Sequence, residues 1–486
     1  MHQTPSLCPL ILRLRILSLI LLLVLMAWPI AGLAQVYPPG YRFIRVPDPL
    51  AANNPTYPLI PRATPNPGES FVDLRFGTRQ TRITQTPSLR HEYSRFDPFN
   101  CNQSRLLLLQ LTTGDWQVYR TTTKPYDQAS NLVRTINNLA EMRWDPSDPA
   151  TLWGFRDFSI IQLNVETGQE TLVKDFSADP IISPLLAANP YIYRITCKDE
   201  GESSRDKRYW ALSLQNGDDP AHPEQSYAFK YLLTWDRLED EVLGTYPLSL
   251  AQSDHLDWVG MSPLGNWVVI GGESEQGAPP NWGLMMASKD FAVLHQLSPN
   301  TAHADVGLDT QGREVMVMQN SRTDRVDLMP LDLGALPVNS LADYTNNIIK
   351  PLVILYYNSE SPVGLNSGIH ISCNYPGYCL ISTYIPPSQP EKNWLDRCLI
   401  LVRLDRNKLQ AVYLAKIYNT TGQYWEETHG SMSNDGTKII WVDNWGQTFP
   451  EPQEPQLTLT QLDMPPNWRH QFLPAGTPIL ELLLLD

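Results

Sequence analysis

Five histidine and acidic residues in the C-terminal half of the chain are the strongest candidates for chemistry: His303, Asp305, His370, Glu427 and His429. Imidazole nitrogens and carboxylate oxygens bind divalent metals, and the same groups transfer protons in acid–base catalysis. The five residues are far apart in sequence, so they form a site only if the fold brings their strands together. We therefore predict a metal site, with Mn, Ca or Zn as the cofactor, that depends on tertiary structure.

A shared register relates these residues to glycines in four predicted hairpin turns: Gly265, Gly312, Gly377 and Gly436. Seven positions before each glycine stand Trp258, Asp305, His370 and His429, and two positions further out stand residues that include His303 and Glu427. Because side chains alternate between the faces of a strand, these residues share one face. Small residues stand five positions before the glycine, as a crowded innermost strand requires: Gly260, Gly307, Ser372 and Ser431.

The composition and an imperfect repeat define the elements that must position these residues. The chain has 42 prolines, 27 glycines and 14 tryptophans, which favours short strands and many turns. From about residue 70 a unit of strands and hairpins recurs every ~40–50 residues, beginning with "FVDLRFGTRQTRITQ" and ending with "HGSMSNDGTKIIWVDNWG". The prediction is an all-β fold, a β-propeller of about seven four-stranded blades over residues 70–486; eight blades or a tandem of β-sandwiches are the alternatives.

Two hairpins carry a resemblance to known propellers. The stretches "SPLGNW" (Ser262 to Trp267) and "SNDGTK" (Ser433 to Lys438) resemble the "SPDGxx" hairpin of TolB-type and WD-like propeller repeats. A propeller with histidines at its channel mouth is also similar to the propeller polysaccharide lyases, such as oligogalacturonate lyase. That resemblance implies a metal that is held by histidines and a glutamine and binds a uronate carboxylate, with the metal role falling on His370 and His429.

The lyase resemblance also implies roles for residues near the channel. Elimination needs a cation for the carboxylate, a base for the C5 proton and a donor for the leaving oxygen. Arg143 or a metal is expected to serve as the cation, His91 or His303 as the base, and Tyr93 or Tyr424 as the donor. The rival interpretation is a non-catalytic propeller that binds a protein or a glycan, with the polar residues lining a wet channel.

The N-terminus predicts the compartment. Arg13 and Arg15 precede the apolar run "ILSLILLLVLMAWPI", and the small residues "AGLA" follow, so residues 1–34 are expected to be a signal peptide. An uncleaved anchor is the alternative, but the run is shorter than the roughly 20 apolar residues of a spanning helix. Residues 35–69 are expected to be a Pro-rich lead-in, and the mature protein to be secreted or periplasmic, without membrane attachment.

Charge and cysteine content limit the partners. The net charge of −14 argues against a nucleic-acid partner and leaves a polysaccharide or protein ligand. Cys373 and Cys379 flank the turn "NYPGY" and could form a disulfide, whereas the absence of a CxxC pair disfavours a structural zinc site. The apolar tail "ILELLLLD", residues 479–486, is expected to supply a strand to the last or the first blade.

Overall fold

The computed structural model describes residues 37–272, 279, 282–298, 303–320, 323–331, 348–355, 368–385, 393–447 and 456–472. The chain divides into two compact units, Met1–Tyr41 and Arg42–Asp486. The predicted signal peptide lies outside the described residues. Residues 42–69 of the Pro-rich lead-in form one short strand and are otherwise irregular.

Within the described residues, the regular elements are short strands, two short α-helices and several short 3₁₀ helices. The helices are α1 (Ile182–Ala188) and α2 (Leu250–Asp254). The strands of the described residues are β1 (Ile44–Arg45), β2 (Ser70–Val72), β3 (Arg79–Arg82), β4 (Leu89–Arg90), β5 (Arg105–Gln110), β6 (Trp116–Arg120), β7 (Leu132–Ile136), β8 (Ala140–Trp144), β9 (Thr151–Arg156), β10 (Ser159–Asn164), β11 (Glu170–Asp175), β12 (Ile192–Thr196), β13 (Tyr209–Asn216), β14 (Phe229–Asp236), β15 (Glu241–Pro247), β16 (Leu256–Met261), β17 (Val268–Gly272), β18 (Leu284–Ala287), β19 (Leu294–Ser298), β20 (Ala304–Leu308), β21 (Glu314–Asn320), β22 (Arg325–Pro330), β23 (Lys350–Ile354), β24 (Gly368–Ser372), β25 (Tyr378–Tyr384), β26 (Cys398–Arg403), β27 (Gln410–Lys416), β28 (Ser431–Met432), β29 (Lys438–Asp443) and β30 (Thr458–Asp463).

These strands form seven antiparallel sheets, the blades of a β-propeller, which confirms the predicted fold. Blades one to five are β4–β7, β8–β11, β12–β15, β16–β19 and β20–β23. Blade six is β24–β27 with β1 added at its outer edge, and blade seven is β28–β30 with β3 and β2. The first strand of each blade is the innermost strand. Each inner strand begins at one end of the central channel, here called the site face, and ends at the other, the hairpin face.

An N-terminal strand completes the last blade. In the ladder between β3 and β30, Gln80 lies opposite Leu462 and Thr81 lies opposite Gln461. The stretch "FVDLRFGTRQTRITQ" therefore forms the outer strands of blade seven instead of starting blade one. This pairing covers an edge of β30 that would otherwise be open to other chains. The tail at 479–486, expected to supply a strand, lies outside the described residues.

Apolar faces of neighbouring sheets pack against each other to form the core. Between blades five and six, Val315 and Val317 share one buried cluster with Ile369 and Ile371. The four glycines that defined the sequence register have φ between +70° and +82°. Because this backbone region favours glycine, those glycines fix the hairpin that follows each inner strand.

Two loops cross the central channel. Residues 91–99 leave β4, and residues 197–205 leave β12. The Arg95 Nε donates to the Ala304 carbonyl of blade five (2.6 Å), and the Ser431 hydroxyl of blade seven donates to the Phe96 carbonyl (2.5 Å). The Arg205 Nη2 reaches the Asn374 carbonyl of blade six (2.8 Å). The channel is therefore divided by protein between the site face and the hairpin face.

Cys373 and Cys379 form the predicted disulfide. No helix in the described ranges combines the length and apolarity needed to cross a bilayer.

Candidate functional site

The inner strands of blades five, six and seven bring four of the five predicted metal residues together at the site face. His303 directly precedes β20, His370 lies within β24, and Glu427 and His429 precede β28. The ring centroids of His303 and His370 are 4.7 Å apart, and those of His370 and His429 are 3.9 Å apart. Ligand atoms of His370, Glu427 and His429 all lie within 4.8 Å of one another. We call these four residues the His/Glu cluster.

Asp305 lies in the predicted register, but its carboxylate is bound by backbone groups outside the cluster. Its carboxylate accepts hydrogen bonds from the backbone N–H groups of Cys373 (2.6 Å) and Val306 (2.8 Å). It therefore links the inner strands of blades five and six and does not join the His/Glu cluster.

The cluster contains polar atoms that are buried without partners. The His370 and His429 side chains are fully buried. Both ring nitrogens of His370, the Nε2 of His429 and the Oε2 of Glu427 have no hydrogen-bond partner among the described residues. The His370 Nε2 lies 3.2 Å from Glu427 Oε2, but the pair lacks hydrogen-bond geometry. A buried polar atom without a partner costs about 1–3 kcal/mol, so this arrangement favours a group that would satisfy several of them at once.

Burial keeps the imidazoles neutral, which is the form that binds metals. Burial and neighbouring positive charge hold the pKa of His370 and of His429 well below the usual value. Burial, followed by the neighbouring His370, lowers the pKa of His303 to about 3. Burial also raises the pKa of Glu427, while His303 and the Tyr384 hydroxyl oppose this rise. Neutral imidazole nitrogens and a carboxylate oxygen suit Mn or Zn. His370 and Glu427 offer such atoms as they stand, whereas His429 could offer its Nε2 only in the tautomer without the hydrogen bond from Arg90.

Two residues that the sequence interpretation missed support the cluster. The guanidinium of Arg90, on β4, is fully buried and hydrogen-bonds His429 Nδ1. The ring of Tyr384, at the end of β25, stacks on His370 with centroids 5.2 Å apart, and its hydroxyl hydrogen-bonds Glu427. Arg90 adjoins the candidate His91 in sequence, whereas Tyr384 carries no sequence signal because it is placed only by the β24–β25 pairing.

The crossing loop 91–99 forms the other side of the cluster. The Tyr93 hydroxyl hydrogen-bonds His303 Nδ1 (3.0 Å), and its ring packs 5.0 Å from that of His429. The His91 Nε2 donates to the His429 carbonyl (2.5 Å), and burial followed by the charge of Arg90 lowers the pKa of His91 to about 3. Backbone strain coincides with this contact, since His429 has φ +43°, a region unusual for a residue other than glycine.

The guanidinium of Arg143, the predicted cation for a substrate carboxylate, already binds other groups of the protein. Its Nη1 pairs with Glu92 (2.6 Å), its Nη2 donates to the Asp199 carbonyl (2.6 Å), and its guanidinium stacks 3.2 Å above the Phe96 ring. These contacts hold together the two crossing loops and blade two.

A cleft of about 550 Å³ opens beside the cluster on the site face. Tyr93 and Tyr424 line it, and the Tyr424 ring is 46 % exposed and packs 5.2 Å from that of His429. Trp116 and Trp425 line the same cleft. Its charged lining is mostly acidic: Glu92, Glu141, Asp199, Glu200 and Asp257, with Lys198.

Fold and site together define the chain as a seven-bladed β-propeller with a buried His/Glu cluster at one channel end. No protein-family model and no curated protein matches the sequence. Solved structures do match. An oligogalacturonate lyase in complex with manganese is 13 % identical with a TM-score of 0.52, over 82 % of this chain and 97 % of that chain. An oligogalacturonate lyase from Vibrio parahaemolyticus is 10 % identical with a TM-score of 0.50, over 82 % and 97 %. The predicted resemblance is thus confirmed for the fold.

Proposed function

We propose that this protein is a secreted, metal-dependent enzyme of the polysaccharide-lyase type, acting on uronate-containing glycans. The observation that carries the proposal is the set of convergent, partnerless ligand atoms on His370, Glu427 and His429. The structural similarity to an oligogalacturonate lyase solved with manganese supports it.

His370, Glu427 and His429 would hold the metal, and the neighbouring His303 stays outside this ligand set. When bound, a divalent cation supplies positive charge that neutralises the uronate carboxylate. The cleft needs this charge because carboxylates dominate its lining and would repel an anionic sugar chain. Two of them are partly compensated by protein cations, since Glu92 pairs with Arg143 and Glu200 pairs with Arg95.

The chain's own residues would bind the sugar and move its protons. Tyr424 and Trp425 offer aromatic surface in the cleft on which sugar rings stack. His303 is the better-placed base of the two predicted candidates, because it is less buried than His91, whose Nε2 is bound to a carbonyl. Tyr424 is the better-placed proton donor, because its ring is exposed whereas Tyr93 is buried.

The proposal is tested by metal content and activity together. We expect the purified protein to contain a divalent metal in stoichiometric amount and to produce unsaturated, ultraviolet-absorbing products from uronate polymers. His370→Ala and His429→Ala should lose both properties. His295→Ala is the matched control, because His295 is a buried histidine on the outermost strand of blade four. Unchanged metal content and activity in both cluster variants would exclude this function.

A second candidate function is non-catalytic binding of a glycan or protein, and one contact favours it. A guanidinium has only donors, so His429 Nδ1 must accept from Arg90, and the neutral ring then carries its proton on Nε2. That tautomer is not the form that coordinates through Nε2. If this interpretation is correct, elemental analysis finds no metal. Neutral glycans or a protein then bind the cleft with the same affinity in the presence and in the absence of EDTA.

A further inference from the structure

The four most exposed aromatic side chains of the described residues all lie on the site face. They are tyrosines: Tyr191, Tyr193 and Tyr227 are 40 %, 42 % and 58 % exposed, and the fourth, Tyr424, lines the cleft beside the His/Glu cluster. Single exposed apolar residues are normal on a protein surface, but exposed aromatic rings that gather on one face are typical of a binding surface.

Three of these tyrosines meet around Gly217, the residue that follows strand β13. The Gly217 N–H donates to the Tyr191 carbonyl (2.8 Å), and the Gly217 carbonyl accepts from the Tyr227 N–H (2.9 Å). A Cβ at Gly217 would lie 3.5 Å from the ring of Tyr193. Tyr191 and Tyr193 flank Ile192, the first residue of β12, so the three tyrosines lie where the inner strand of blade three begins. We call these three residues the tyrosine platform.

The backbone holds Tyr227 in an unfavourable conformation. Its φ is +61°, in the left-handed region where glycine is usual. Its N–H is bound to Gly217, and its carbonyl accepts from the Gln215 Nε2 (2.9 Å), so the residue is fixed on both sides. Its ring is exposed and adds little to the core. Backbone strain that is maintained at a residue with so little packing is typical of a functional position.

The platform adjoins the cleft beside the His/Glu cluster. Ala140 and Glu141, at the start of the inner strand of blade two, line this cleft, and so does Asp257, at the start of the inner strand of blade four. Blade three shares a buried apolar cluster with each of these two blades, so it stands between them. A glycan chain that leaves the cleft over blade three therefore meets the platform.

Arg194 adds hydrogen-bond donors to the platform. Its guanidinium lies 5.4 Å from the centre of the Tyr193 ring, and its Nε donates to the Gln215 Oε1 (2.7 Å). Its two Nη groups make no hydrogen bond or ion pair with a residue that the structure describes. They are donors that a sugar hydroxyl or carboxylate can accept from.

We propose that the tyrosine platform binds the substrate polysaccharide at sugars outside the cleft, through stacking of sugar rings on the tyrosine side chains. This inference rests on the proposed function and makes long chains the preferred substrates. Tyrosine suits the role because its ring is flat and apolar and its hydroxyl bonds to polar groups. Three acidic residues lie in the loop between β13 and β14, so stacking rather than net charge must hold the chain: Asp218, Asp219 and Glu224.

Electrophoresis of the folded protein in gels that contain a polysaccharide measures this binding. We expect both polygalacturonate and its uncharged methyl ester to retard the protein, and the retardation to persist in EDTA, because stacking needs neither a metal nor a charge. The triple variant Tyr191→Ala, Tyr193→Ala and Tyr227→Gly should lower the affinity for both polymers about 10-fold. Tyr227→Gly alone should keep or raise the melting temperature, because glycine adopts this φ without strain.

Two further variants separate stacking from a structural effect. Phenylalanine in place of all three tyrosines should retain most of the affinity, because the rings remain. Tyr209→Ala is the matched control and should bind like the wild type, since Tyr209 is a partly exposed tyrosine at the hairpin-face end of β13. In the active enzyme, the triple variant should raise the KM for polygalacturonate several-fold more than the KM for digalacturonate.

The proposal is overturned if neither polymer retards the wild type, if the triple variant binds as the wild type does, or if the phenylalanine variant loses as much affinity as the triple variant. Its failure is distinct from that of the proposed function. Tyrosine-dependent retardation of a protein without metal or lyase activity would support the platform and exclude the lyase. Lyase activity without any effect of the tyrosines would do the reverse.

Discussion

Gly368 makes room for the tyrosine that supports the His/Glu cluster, and replacing it with alanine tests that support. Gly368 lies opposite Tyr384 in the β24–β25 ladder. A Cβ at position 368 would lie 2.0 Å from the Tyr384 Cζ and 2.2 Å from its hydroxyl oxygen. Real Cβ contacts begin near 3.0 Å, so the ring must move by at least 3.0 − 2.0 = 1.0 Å. That movement would break the hydrogen bond from Tyr384 to Glu427 and the stacking on His370.

We expect Gly368→Ala to reduce the free energy of unfolding by about 1–3 kcal/mol, the usual cost of forcing extra volume into a packed region. Manganese affinity should fall about 10–100-fold, as it does when a residue that orients a metal ligand is disturbed. Urea unfolding and calorimetric titration with manganese measure the two effects. Gly217→Ala is the matched control, because its nearest contact, Tyr193, would lie at an ordinary 3.5 Å.

A double variant separates the clash from any backbone effect of alanine. In a Tyr384→Leu background the ring is gone, so adding Gly368→Ala should cost no more than Gly217→Ala costs in the wild type. If Gly368→Ala is as stable as the wild type, or is equally destabilising with and without the tyrosine ring, the reasoning from the β24–β25 contact is wrong.

Three other predictions concern stability. Replacing Cys373 and Cys379 with serine should lower the free energy of unfolding by about 2 kcal/mol, the chain-entropy value for a short loop, with Cys101→Ser as the neutral control in urea unfolding. A chain that starts at Ile83 lacks β1, β2 and β3, and it should self-associate through the open edges of β27 and β30. Light scattering measures the association, and a monomer would contradict the idea that the N-terminal strands protect these edges. Burial raises the pKa of Asp443 to about 7, above the 3.8 of the unfolded chain, so its contribution to stability is greatest below pH 3.8 and is lost as the pH rises to about 7. Asp443→Asn should flatten the dependence of the free energy of unfolding on pH in this range, measured by urea unfolding. An unchanged pH dependence would contradict the raised pKa of Asp443.

The propeller could be predicted because its determinants are local. The turn glycines, the strand alternation and the repeat length recur along the chain, and each acts within one hairpin. The register of His370 and His429 could be predicted for the same reason, since it is a count from the nearest turn glycine. The position of β3 could not be predicted in this way, because its partner β30 is at the other end of the chain. The same strand pattern would fit any exposed sheet edge.

The environment of the cluster needed the tertiary structure. Asp305 occupies the same register position as His370, yet its carboxylate is taken by backbone N–H groups of a neighbouring blade, which no spacing indicates. Arg90 and Tyr384 reach the cluster from other strands, and the loop 91–99 crosses the channel instead of only lining it.

The sequence by itself determined the class of fold and which strand positions could carry histidine and carboxylate side chains toward the channel, because period-two alternation and turn glycines act over a few residues. Tertiary structure decided which of those side chains meet, which are buried without partners and which are neutralised. The physical reason is that burial, desolvation and hydrogen-bond satisfaction depend on neighbours from other blades. The same dependence separates Lys207, which is buried at the hairpin face, from the exposed lysines, because the sequence alone does not show which lysines are buried.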